Sequence, residues 1–177
     1  LDRVAPESAI GRSDSRWMRM APGEVFASLQ QITPGELPGL GSVFRAARGL
    51  SPFVADKPLY AQMLDAGFSV MGVTPLREVV LARPATPFGL LRPAPRVKNR
   101  RELEGFAEAG HVKAALGFSL APESLGELDG TRVAATLRMW SVDARAGRTL
   151  RLLWPFISAG GGIFARAWLR ALAARAN

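Results

Sequence analysis

The sequence predicts an α+β domain in which an antiparallel sheet is closed over by a C-terminal helix. Three observations carry this. Two long segments of period two, "HVKAALGFSLAP" and "TRVAATLRMWSVD", follow one another, and after Asp143 roughly thirty residues take up helical spacing. Near the N-terminus a short alternating segment runs directly into a helix-spaced one. A curved sheet gripping one helix leaves a concave apolar space between them, a common place for small ligands.

The elements follow in order. Residues 1–13 read as an N-terminal tail and 14–177 as a single domain. The segment "DSRWMRM" (14–20) alternates as a strand, with Trp17 and Arg19 on one face and Met18 and Met20 on the other. In "PGEVFASLQQI", Pro22 suits a first helical turn, Glu24 the positive helix end, and Val25, Phe26, Leu29 and Ile32 recur at helical spacing. Thr33 caps a second helix, broken near Pro38 and Gly39 and reaching about Arg48. Residues 51–57 read as a loop, and "PLYAQMLDAG" as a short helix stopped by Gly67.

From Phe68 the period becomes that of a sheet. "FSVMGV" and "REVVLAR" form a hairpin around Thr74, Pro75 and Leu76. The Pro-rich stretch 84–110 suggests one irregular edge strand and a helical turn through "RELEGF". In the two long strands Leu116, Phe118 and Leu120 share a face opposite Lys113, Ala115 and Ser119. Val133, Ala135, Leu137 and Met139 likewise oppose Arg132, Thr136 and Arg138, so one side is apolar and the other wet. Asp143 caps the final helix, whose stripe runs through Leu150, Leu153, Trp154 and Ile157 and resumes at Phe164, Trp168 and Leu172. Pro155 should kink it and Gly160, Gly161 and Gly162 loosen it.

Composition bounds the function. A chain of 177 residues with 48% hydrophobic residues supports one core without metals or disulfides. Cysteine is absent, which removes disulfide frameworks and thiolate sites and fits a reducing compartment; a cytoplasmic location is expected. No stretch has the length of a membrane span, and the first thirteen residues carry no apolar signal region. The net charge of +8 is mostly arginine spread along the chain beside Ala, Gly and Pro, the signature of a GC-rich genome rather than of a nucleic-acid partner. Its one dense cluster, Arg96, Lys98, Arg100 and Arg101, reads as a solvated loop without interleaved aromatics.

Motif chemistry is sparse. With one histidine, no cysteine and scattered carboxylates there is no metal-ligand spacing and no cofactor motif. "GLG" (39–41) and "GGG" (160–162) lack the context of a phosphate cradle, and Ser119 has no nucleophile elbow.

The order strand, two helices, meander and long helix, together with "MAPGEVFASL", "REVVLAR", "FAEAGHVKAALGF" and the Asp143 to Arg170 helix, resembles the SRPBCC or START-like superfamily (polyketide cyclase/dehydrase-like), in an uncharacterised bacterial branch. The resemblance covers about residues 14 to 175 and is mostly structural. It implies a helix-grip fold: a curved antiparallel sheet of about six to seven strands wrapped around the long C-terminal helix, with two short helices after the first strand. That branch tends to carry an acid and a threonine in the penultimate strand where this chain has Thr136 and Leu137. Arg77, Glu78, Lys113 and Arg138 remain as the charged positions that match.

The resemblance further implies a hydrophobic pocket between sheet and final helix, used in the superfamily for lipid carriage, metabolite binding or polyketide cyclisation. Fold alone does not choose among these. Non-covalent binding of a hydrophobic or amphipathic small molecule is the leading expectation. Its wall residues, inferred from packing, are Leu116, Phe118, Leu120, Val133, Leu137, Met139, Trp154 and Ile157. A cyclase or dehydratase is the enzymatic alternative, with Glu78 and His111 as candidate acid or base and Lys113 and Tyr60 behind them. Glu78 acts only if it faces inward; outward it is a solvated sheet residue. Each of the four tryptophans could line the pocket or fill the core; Trp154 and Trp168, on the covering helix, are the leading wall candidates, Trp17 is a pocket or core candidate, and Trp140, sharing the face of Arg138, is a candidate for the surface. A second alternative is a surface-mediated protein partner or an anionic membrane, with the Arg-rich terminal helix inserting Trp168 and Leu172. Against the membrane, the same stripe is needed to cover the sheet.

Overall fold

A computed structural model describes residues 1–41, 53–87, 89 and 95–176. It is α+β, with a five-stranded antiparallel sheet and a 31-residue C-terminal helix. The strands are β1 (Ile10–Met18), β2 (Ser69–Thr74), β3 (Glu78–Ala85), β4 (Val112–Leu125) and β5 (Leu128–Ser141), arranged β1-β5-β4-β3-β2. The helices are α1 (Pro22–Gln31), α2 (Leu59–Asp65), α3 (Arg100–Gly105) and α4 (Ala144–Ala174), with one 3₁₀ turn at Pro34–Glu36. The described residues thus form five strands, not six to seven. Between α1 and α2 the described backbone shows the 3₁₀ turn and a helical residue at Gly41, and the rest of the expected helix toward Arg48 lies outside the described residues, as do residues 51 and 52 of the expected loop and much of the expected edge strand after Pro84.

Local chemistry accounts for the elements. Glu24 accepts a hydrogen bond from the Ala21 N–H at 3.0 Å, Pro22 opens α1 where no donor is needed, and Val25 and Leu29 are buried. The β2–β3 turn falls at Pro75–Arg77, with Leu76 at a φ of 58°. The β4–β5 hairpin closes Leu125 onto Leu128, and Gly126, at a φ of 62°, takes the first of its two turn positions, which suits a type II′ turn. Pro84 lies beyond Ala82, where the pairing of β2 with β3 ends, so its missing N–H falls where β3 has a described neighbour on one side only. The Asp143 side chain accepts from the Ala146 N–H at 2.8 Å and starts α4.

β1 begins at Ile10, four residues before the predicted start and inside the expected tail. The stretch "IGRSDS" has the composition of a turn, yet its register with β5 is continuous from Ile10↔Met139 to Met18↔Thr131. Pro155 does not interrupt α4. Pro155 and Arg151 are both exposed, so the carbonyl that loses its helical donor can be met by water.

The registers put Arg12, Leu137, Leu116 and Leu81 in one row across the inner face, and Asp14, Ala135, Phe118 and Val79 in the next. The main core lies there, joined by Val25, Leu29, Leu59, Trp168 and Leu172. A separate cluster of Ala85, Val112, Ala114, Met139, Ala146 and Leu150 fills the end near the start of α4, with Trp154 and Ile157 packed on it. The outer face is not uniformly wet. Val80, Ala82 and Ala115 are buried there under Val97, Leu103 and Phe106, and Leu1, Val4 and Trp140 pack on the same cluster. Period two encodes which way a side chain points, but not what covers it.

Candidate functional site

The inner face and α4 enclose a cavity of about 300 Å³, at the low end of the range for small-molecule sites. Sheet residues Leu116, Phe118, Ala135 and Leu137 form its floor; Phe53, Met63 and Phe68 form one wall; Gly160, Gly161, Phe164, Ala165 and Trp168 of α4 form the roof. Arg12 and Asp14 are its charged lining residues.

The roof is thin because side chains are missing from it. A Cβ at Gly162 would collide with the Arg12 guanidinium, one at Gly161 would stand 3.4 Å from Leu137, and one at Gly160 would meet nothing within 4 Å. Glycine in a helix costs about 0.5 to 1 kcal/mol relative to alanine. At Gly162 the reason for it is packing, since α4 crosses β1 directly over Arg12. The three glycines thus admit Arg12 beneath Gly162 and the cavity beside Gly160 and Gly161.

Beside the roof is a charged cluster. Arg12 grips Asp14 with two donors, Nε to Oδ2 at 2.8 Å and Nη2 to Oδ1 at 3.2 Å, and Arg166 of α4 donates from Nη1 to Oδ1 at 3.1 Å. Asp14 is mostly buried, and the Arg12 guanidinium, with Arg166 in support, holds its carboxyl below the usual carboxylate range. Asp14 therefore stays ionised at neutral pH and has no proton to donate.

Trp168 is 1% exposed, and its ring packs edge-on against Phe118 (4.7 Å between centroids) and Phe164 (5.8 Å). Among the described residues its indole Nε1–H has no hydrogen-bond partner. A buried donor left unpaired costs about 1 to 3 kcal/mol.

Of the wall residues expected from sequence, Leu116, Phe118, Leu137 and Trp168 line the cavity. Leu120 and Val133 lie in the main core, while Met139, Trp154 and Ile157 belong to the filled end. The candidate acids and bases are elsewhere. Glu78 pairs with Ser119 on the outer face and accepts from the Leu1 amino group at 2.5 Å. His111 precedes β4, its Nδ1 3.3 Å from the Ala109 carbonyl and its ring edge-on to Phe106. Lys113 is buried rather than solvated. Its Nζ donates to the Glu104 carbonyl at 2.9 Å, and burial lowers its pKa. Tyr60 is half-buried against the main core, which raises its pKa. Trp17 donates from Nε1 to the Glu123 carbonyl at 3.0 Å, and Trp140 is half-buried. Trp168 and Leu172, expected at a membrane in one alternative, are core residues.

Sequence reasoning missed Arg12, Asp14 and Arg166. The signal available was the alternation of Arg12 and Asp14 with Gly11, Ser13 and Ser15, which puts both charges on one strand face. Among the described residues no group of His, Cys, Asp or Glu could hold a metal ion, and no helix is long and apolar enough to cross a membrane. No family model, curated protein or solved structure matches the chain.

Proposed function

We propose that the chain is a helix-grip domain of the SRPBCC or START-like kind that binds a hydrophobic or amphipathic small molecule, non-covalently, between the sheet and α4. The observation that carries this reading is the cavity of about 300 Å³, apolar except for Arg12 and Asp14. An apolar ligand there would take its own apolar surface out of water against Phe118, Phe164 and Trp168 and gain about 25 cal/mol for each Å² so buried. A ligand with one acceptor would also partner the Trp168 N–H if it reaches it.

Binding is favoured over catalysis. Cyclisation needs a positioned group that gives or takes a proton, and Glu78, His111, Lys113 and Tyr60 all lie outside the lining. Asp14, the carboxylate that does line the cavity, is held ionised by its arginine and makes a weak base and no acid.

Native mass spectrometry of the protein purified from its own host, followed by organic extraction, tests the reading. The expected result is a stoichiometric apolar ligand that is lost from Ala135→Leu, in which the cavity floor is filled. An empty protein whose melting temperature moves with no member of a hydrophobic ligand panel would overturn it.

A further inference from the structure

The outward face of α4 carries a second apolar stripe, separate from the one that covers the sheet. Leu152 and Phe156 are each 76% exposed and Ile163 is 52% exposed. Their spacings of four and seven residues place them on one line along the helix, about 17 Å long at about 1.5 Å per residue. Arg145 and Arg170 extend that line, seven residues before Leu152 and seven after Ile163, and Arg148 and Arg151 flank it. No aspartate or glutamate occurs between Ala144 and Ala174. Among the described residues Arg148, Arg151 and Arg170 form no ion pair, and Arg166 is held by Asp14.

We infer that this face docks on an anionic lipid surface, with Leu152, Phe156 and Ile163 at the acyl boundary and the arginines among the headgroups. An exposed apolar stripe with a cationic border and no acid is the arrangement an interfacial helix requires. A second copy of the chain fits poorly, because a two-fold contact through α4 would bring arginine against arginine with no acid on the helix to neutralise it. A phosphate backbone would be met by the arginines but would leave the three apolar side chains in water. Gly160, which is exposed and also lines the cavity, lies four residues after Phe156 and three before Ile163. Docking would therefore set the edge of the cavity roof beside the lipid. The docking itself does not depend on the cavity holding a ligand.

Co-sedimentation of the full chain with phosphatidylcholine vesicles, with and without about one third phosphatidylglycerol, tests this. Binding is expected to the anionic vesicles only, and to fall as salt shortens the screening length. The double variant Leu152→Ser, Phe156→Ser should bind roughly tenfold or more weakly with an unchanged melting temperature, and Arg148→Gln roughly fivefold more weakly. No binding to the anionic vesicles, equal binding to neutral ones, or a double variant that binds like the parent would overturn the inference. So would a dimer in solution that Phe156→Ser dissolves.

Discussion

The two halves of α4 lie on the same sheet and do opposite things. Its first half, from Ala146 to Ile157, presses Leu150, Trp154 and Ile157 onto Met139, Val112 and Ile10 and leaves a filled core. Its second half, from Gly160 to Trp168, crosses the next part of the sheet with glycines where the first half has large side chains, and a cavity remains. The difference teaches that the hollow comes from omission. Leaving out Cβ atoms along one stretch of helix, with Gly161 facing Leu137, leaves space while the helix stays continuous.

Leu150→Ala should show the largest effect. Leu150 is 2% exposed in the filled half, and its truncation should cost about 2 to 5 kcal/mol in chemical denaturation. Leu152→Ala, two residues on and pointing outward, should change stability by less than about 0.5 kcal/mol. Equal losses at the two sites would break the account of α4.

The glycines sharpen the comparison through the sign of their effects. Gly160→Ala adds a Cβ to open space and should stabilise by up to about 1 kcal/mol through helix propensity. Gly162→Ala meets the Arg12 guanidinium and should lower the melting temperature despite the same propensity gain. If both substitutions stabilise, the Arg12 guanidinium yields at little cost and its bonds to Asp14 do not hold it beneath α4.

Asp14 links the hollow half to β1, and its pH dependence has a definite sign. Its folded pKa is depressed, so its contribution is complete above the unfolded value of about 3.9 and is lost as pH falls through the lower folded value. Thermal melts from pH 6 down to about pH 2 should therefore show a shallower acid loss in Asp14→Asn than in the parent, from a lower starting melting temperature. Identical acid limbs would show that the Arg12 and Arg166 bonds contribute nothing.

How far these features were legible depends on whether they are local. The inward face of β4 and β5 follows from period two, so Leu116, Phe118 and Leu137 are recognisable as inner-face residues from sequence. Which inner residues face space and which face Leu150 depends on how α4 lies along the sheet, a long-range alignment that no spacing encodes. Met139, Trp154 and Ile157 were therefore expected at a wall and are found in the filled end. Lys113 points outward as its period predicts, yet it is buried, because the cover supplied by α3 comes from outside the strand. β1 hid its first four residues behind small polar side chains, and Arg12 with them.

A crystal of the protein under xenon pressure tests the central claim most directly, since xenon enters dry apolar cavities and is not attracted to packed or wet ones. The account predicts xenon between Phe118, Phe164 and Trp168 in the parent protein and none in Ala135→Leu. A parent structure with no xenon there, its cavity closed by the surrounding side chains, would contradict it.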